Sequence, residues 1–146
     1  MAIIKLCADE LTQISASFST MVHCTPRHTP VGPGSQCLAL VYSPLVDTQA
    51  NPPTLSFLYT VIVTYLYINN GAILEDICVI SDQPGSVVLS QGLKTCCNQN
   101  PSISNTATCS NISTTPTEVM ATLNIDFVIG NLCSPAIICI DQYVHC

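Results

Sequence analysis

Positive charge is almost absent from this chain. Of its 146 residues only Lys5, Arg27 and Lys94 are lysine or arginine, against nine Asp and Glu, for a formal net charge of −6. Nucleic-acid binding needs clustered Lys and Arg on phosphates, and three scattered cations exclude it. The same scarcity excludes a polybasic membrane patch. Charge of either sign is in fact sparse: charged residues make up 8% of the chain, where soluble domains carry roughly a quarter. Such a surface suits close packing against other chains better than it suits a free monomer.

Long apolar runs are missing too. The longest, Leu55 to Ile68, is interrupted by Ser56, Thr60 and Thr64 and falls short of the roughly 20 residues a membrane-spanning helix needs. At the N-terminus the run from Ala2 to Leu6 is broken by Lys5 and closed by Asp9 and Glu10, which is not the pattern of a secretory leader.

Reaction motifs are equally scarce. No G-x-S-x-G, P-loop or G-x-G-x-x-G occurs, so the usual nucleophile and phosphate cradles are absent. Cys24 and His28 stand four apart, His23 precedes Cys24 and His145 precedes Cys146, but there is no C-x-x-C. Structural zinc sites use such close pairs because two ligands from one turn preorganise the tetrahedron. Glu75 and Asp76 are adjacent in an extended stretch, so they face opposite sides and do not form a carboxylate pair. The expectation is a protein that is not an enzyme, with no catalytic, cofactor-binding or metal-ligating residue and no cofactor.

Cysteine, by contrast, is abundant: Cys7, Cys24, Cys37, Cys78, Cys96, Cys97, Cys109, Cys133, Cys139 and Cys146. That density belongs to an oxidising compartment, extracellular or at a cell or spore surface. A chain of this length can bury a core without disulfides, so the expected use is durability or covalent linkage between subunits. Connectivity cannot be read from spacing. Adjacent Cys96 and Cys97 are expected to reach two different partners. Cys7, Cys24 and Cys146, near the start or at the last residue, are the candidates for bonds between subunits, and the other seven for the remaining bridges. One glycosylation sequon is present, Asn111-Ile112-Ser113.

The periodicity is that of strands. Thr54 to Ile68 is rich in β-branched and aromatic residues, apolar at every odd position and, mixed with Thr, at the even positions Leu58, Ile62, Leu66 and Ile68, so it wants cover on both faces. Asn69-Asn70-Gly71 signals a tight hairpin. Ala72 to Ser81 reads as the return strand, closed by a turn at Asp82-Gln-Pro-Gly85, with a short strand at Ser86 to Ser90. Gln91 to Pro116, dominated by Ser, Thr and Asn with three cysteines, reads as a long stapled loop with room for a short strand inside. Glu118 to Ile129 alternates as a half-buried strand, Gly130-Asn131 turns the chain, and Ala136 to Val144 forms the last strand. Cys37 to Ser43 adds another. The prediction is an all-β, antiparallel β-sandwich, jelly-roll-like, with an N-terminal extension.

That extension divides the chain into a 1–36 arm with Pro/Gly-rich linker and a 37–146 sandwich. The alternation Ile14-Ser-Ala-Ser-Phe-Ser-Thr-Met-Val22 favours strand over helix for 12–23. The arm either completes its own sheet or docks on a neighbouring subunit.

In layout (an arm bearing Cys7 and Cys24, a linker, then a sandwich) the chain resembles the endospore-appendage fibre subunits of Gram-positive bacteria. The resemblance implies a short jelly-roll subunit without a cleaved signal whose cysteine-bearing arm reaches other subunits in the stack. The adjacent pair Cys96-Cys97 sits late here, where that family's arm carries neighbouring cysteines near its start. The functional expectation is a structural subunit that assembles with copies of itself into a disulfide-stabilised extracellular filament, appendage or coat. The alternatives are a monomeric secreted disulfide-stapled binding module, using the 91–116 loop for contact, and a virion structural protein.

Overall fold

A computed structural model describes residues 6–32, 36–95 and 100–140, and among them every regular element is a β-strand. The strands are β1 (Leu6–Cys24), β2 (Gln36–Asp47), β3 (Thr54–Asn69), β4 (Ala72–Val88), β5 (Lys94–Thr95), β6 (Ser102–Thr115) and β7 (Glu118–Ile140). They form two antiparallel sheets. In sheet A, β7 is central, flanked by β1 on one side and by β6 and the short β5 on the other. In sheet B the order is β2-β3-β4.

The two sheets share one core. On β7 the odd positions Val119 to Ile129 are buried, and on β3 Leu55, Phe57, Tyr59, Val61, Val63 and Tyr65 are buried. Phe57 and Phe127 meet across the interior with ring centroids 4.8 Å apart, and Phe18 of β1 meets Phe57 edge-on at 5.1 Å. β1 packs over β4 and β2 over β6. The architecture is thus a sandwich with three strands in each layer at most levels. β2, β3 and β4 run as a meander in one sheet and β1 pairs with β7 near the other end of the chain; the jelly-roll part of the expectation goes beyond this strand order.

The stretch 6–24 belongs to the sandwich. β1 pairs with β7 from Leu6↔Ile140 to Cys24↔Val119, Val22 is buried, and Ile14, Ala16 and Phe18 pack on the core. Of the two readings of the arm, completion of its own sheet is the one seen, and the strand expected for 12–23 lies within β1. The expected division at residue 36 falls at the start of β2, while alternate apolar residues on β1 pack on the same core as the later strands.

The linker from Thr25 to Gly32 closes one end of the sandwich. Val31 N–H donates to Leu66 O at 2.9 Å, and Thr114 Oγ1 donates to Gly32 O at 2.5 Å. The chain therefore crosses from the β1 flank over β3 to the β6 flank before entering β2.

Three further expectations are corrected. Asn70 and Gly71 do form the tight hairpin, with φ of 51° and 80°, but Asp82–Gly85 is not a turn. β4 continues through it, with Ser81 and Asp82 opposing Thr60 alone, a β-bulge with Asp82 at φ 53°. Gly130-Asn131 is likewise a bulge inside β7, opposing Gln13, with Asn131 at φ 58°. Most of the supposed 91–116 loop is strand β6, whose Ile103, Ala107, Cys109 and Ile112 pack on the core. Residues 141–144 of the expected last strand lie outside the described residues.

Candidate assembly surfaces

The features of the described residues that bear on the expected assembly are the edges, outer faces and cross-links of the two sheets. A sheet edge exposes a row of unpaired N–H and C=O groups, which another chain can pair with unless the edge is broken or charged. Both edges of sheet B are broken by a bulge with a proline nearby. On β2, Ser43 (φ 53°) and Pro44 together oppose Phe57. On β4, Asp82 makes the bulge and Pro84 follows two residues later.

Sheet A differs. From Ile14 to Cys24, eleven consecutive residues of β1 pair with β7 without a shift, and the stretch holds no proline, lysine, arginine or carboxylate. Among the described residues no backbone group outside sheet A bonds to this edge. On the opposite flank β6 runs nine residues, Ser102 to Ser110, in unbroken register before its bulge at Asn111 (φ 52°), again without proline or charge.

The outer faces differ as well. Sheet A presents Ser15, Ser17 and Ser19 beside Thr122, Asn124 and Asp126. Ser17 Oγ donates to Asp126 Oδ1 at 2.8 Å and Ser19 Oγ to Asn124 Oδ1 at 2.7 Å. Sheet B presents Leu58, Ile62 and Leu66 on β3, with exposed Leu38 and Leu40 on β2 and Ile73, Ile77 and Val79 on β4.

Among the described residues two disulfides join the layers, one on each flank. Cys24–Cys78 ties β1 to β4, with Cα atoms 6.2 Å apart, and Cys37–Cys109 ties β2 to β6 at 5.6 Å. Cys24 therefore bonds within its own chain, because the strand stacking brings it over Cys78; this replaces its expected intersubunit role. Cys133 is also disulfide-bonded. Cys7 and Cys139 occupy facing positions in the β1–β7 register. Cys96, Cys97 and Cys146 lie outside the described residues. Asn111 of the sequon is exposed at the β6 bulge.

The polar groups of the closed end form one cluster. Asp76 points inward opposite Tyr65, whose hydroxyl is fully buried, donates to Asp76 Oδ2 at 3.0 Å and accepts from the His28 N–H at 3.1 Å. Arg27 donates to both Asp76 oxygens, through Nε at 3.2 Å and Nη2 at 2.5 Å. The Arg27 hydrogen bond, helped by the Ile77 N–H and the Tyr65 hydroxyl, holds the Asp76 carboxyl below its usual range despite burial. Burial pushes the Tyr65 phenol up. The His28 ring stacks on Tyr67 with centroids 3.9 Å apart, and His23 Nδ1 lies 2.7 Å from Glu118 Oε1. Each of these histidines is engaged in holding the linker or the β1–β7 pair. Among the described residues no group of three His, Cys, Asp or Glu could hold a metal ion. Glu75 and Asp76 do face opposite sides, as adjacent strand residues must.

Among the described residues no helix is long and apolar enough to cross a membrane. Comparison with protein-family models, curated proteins and solved structures finds no match to this chain. Sequence reasoning missed the Tyr65–Asp76–Arg27 cluster; its only local trace is a tyrosine and an aspartate that hairpin counting from Asn70-Gly71 places opposite one another.

Proposed function

We propose that this chain is a structural subunit that assembles with copies of itself into an extracellular filament, appendage or coat. The observation that carries the reading is the pair of bare edges on sheet A. β1 and β6 run in the same direction on opposite flanks of that sheet, so β1 of one copy can continue the sheet beyond β6 of the next. Such a contact is heterologous and repeats without closing. The broken edges of sheet B would leave that layer out of the growth. Disulfides across both flanks suit an oxidising location and would keep each unit from splaying as sheet A extends.

The described bridges are internal, which also favours a second reading, a secreted disulfide-stapled binding module working as a monomer. Detergent gels with and without reductant, beside negative-stain microscopy of the native material, separate the two. Fibres or shells support assembly; a monomer in both lanes with no particles supports the module. Deleting the arm is not the right probe, because β1 covers the core. Instead, Gln13→Lys with Ser15→Lys adds two exposed charges to the β1 edge without touching its inner face, and is expected to leave the melting point within a few degrees while abolishing polymer. Unchanged polymer from that variant removes β1 from the assembly.

A further inference from the structure

The outer face of sheet B is apolar across all three strands, and nothing in the edge contact just described covers it. Its middle row is Leu38, Ile62 and Val79; Leu38 is 55% exposed, Ile77 49% and Ile73 65%. Patches of this kind on a soluble domain mark a binding surface. Among the described residues its only charges between Leu58 and Ile68 are Glu75 and Asp82, both on edge strand β4, and Asp82 already accepts from the Tyr42 hydroxyl. Two carboxylates and no Lys or Arg are the wrong complement for an anionic bilayer.

The order of residues along β3 identifies the occupant. Read along the strand, the outward positions are Leu58, Thr60, Ile62, Thr64 and Leu66. The series is palindromic about Ile62. An isologous contact requires that residue i of one copy meet j of the other and j meet i, and a palindromic column supplies its own complement. A twofold axis through the Ile62 row, in the plane between two such faces, sets Ile62 on Ile62, Leu58 on Leu66 and Thr60 on Thr64. It also sets Leu38 on Leu38 and Val79 on Val79, so the whole middle row is apolar on apolar. Glu75, in the Leu66 row at the β4 edge, falls opposite the Leu58 row of the other copy and away from its own mate.

Size is adequate. Eleven residues each on β3 and β4 and seven on β2, at about 3.3 Å per residue and about 4.8 Å per strand, give about 460 Å² per copy, which flanking side chains raise to about 500 Å². Two copies bury about 1,000 Å², the lower bound for a specific interface.

We infer that the outer face of sheet B is a twofold interface on which a second copy of this chain packs sheet to sheet, centred on Ile62. The inference is independent of edge growth: it holds for a dimer as well as for paired filaments. It is tested in the Gln13→Lys/Ser15→Lys background, so that face pairing is read apart from the edge contact. Sedimentation equilibrium is expected to give a dimer for the background protein. Ile62→Lys and Ile62→Glu, each added to it, bring like charges together on the axis and are expected to weaken the dimer by at least about 100-fold. Mixing the two is expected to restore it, a rescue that damage to the fold cannot imitate; circular dichroism confirms that each variant is folded. A background protein that is monomeric at all concentrations overturns the inference while leaving the edge reading intact. Dimers that survive both substitutions overturn it, and so does a mixture that stays monomeric. Flotation of the monomer with neutral phosphatidylcholine vesicles would give the face to lipid instead.

Discussion

Sheets A and B have matching inner faces and opposite exteriors. Inside, β7 and β3 each contribute an unbroken row of buried residues, Val119 to Ile129 and Leu55 to Tyr65. Outside, sheet A carries a hydrogen-bonded Ser/Thr/Asn/Asp face and an edge stretch on each flank in unbroken register, Ile14 to Cys24 and Ser102 to Ser110, whereas sheet B carries an apolar face and two edges interrupted at Ser43-Pro44 and Asp82-Pro84. Folding needs only the inner faces, so the outer ones are free to differ. What differs is the direction in which each layer can accept a neighbour: sheet A in its own plane, sheet B perpendicular to it.

The largest expected effect falls on the bonds that join the layers. Cys24–Cys78 and Cys37–Cys109 close loops of 54 and 72 residues. Loop-closure entropy lost from the unfolded chain makes each worth about 4 kcal/mol, a large part of the 5–15 kcal/mol typical of a domain. Cys24→Ser with Cys78→Ser is therefore expected to lower unfolding free energy by about 4 kcal/mol in urea titration. Hydrogen exchange should then rise first along β1, the edge that loses its tie to sheet B. Equal loss of protection in β1 and β4 would show that the bridge supports both layers alike.

That pairing of cysteines was not legible in the sequence, whereas several strands were. Thr54 to Ile68 announces a strand because every inward odd position is apolar, although the cover expected over its even positions is not seen among the described residues, and Asn70-Gly71 fixes its hairpin because both residues tolerate positive φ. Once that register is set, Tyr65 opposite Asp76 follows by counting. The bulges did not follow. Proline, glycine and left-handed Asn or Asp look the same whether the chain reverses or only skips a ladder position; what decides is whether a partner strand continues opposite, as β3 does past Asp82 and β1 does past Asn131. β6 was hidden because Ser and Thr fill its outward positions, although Ile103, Ala107 and Cys109 kept a period of two. Disulfide partners and bare edges depend on how the sheets stack and which strands lie outermost, and neither is a local property.

A second substitution tests the broken edge of sheet B. Gly85 lies in β4 directly opposite Phe57, and a Cβ there would sit 2.5 Å from the Phe57 ring atoms Cε2 and Cζ. Phe57 cannot retreat, since its other side meets Phe18 and Phe127. Overpacking of this kind costs about 1–3 kcal/mol. Gly85→Ala is expected to lose that much in thermal or urea unfolding, while Gly130→Ala in β7, where an added Cβ would lie 3.8 Å from its nearest neighbour, Ser102 Cβ, should lose distinctly less. Equal losses would mean that the ring over Gly85 does not constrain β4.

The smallest effect concerns the closed end, where linker and sheet B meet. Hydrogen bonding from Arg27 holds the Asp76 carboxyl below its usual range when folded, and unfolding returns it to the ordinary one. A group whose folded pKa is depressed binds its proton more readily when unfolded, so stability falls as pH falls. The contribution is complete above the ordinary carboxylate range and is lost as pH descends through that range to the lowered folded value. Because Arg27 is largely exposed, solvent screens the pair and the effect should be modest. Asp76→Asn is expected to flatten the acid limb of a stability–pH profile relative to the unsubstituted chain. Glu75→Gln, one residue along on the outer face, is expected to leave that limb unchanged. If Glu75→Gln flattened it equally, the acid sensitivity would belong to the net charge of the chain and not to the Arg27–Asp76–Tyr65 cluster that anchors the linker.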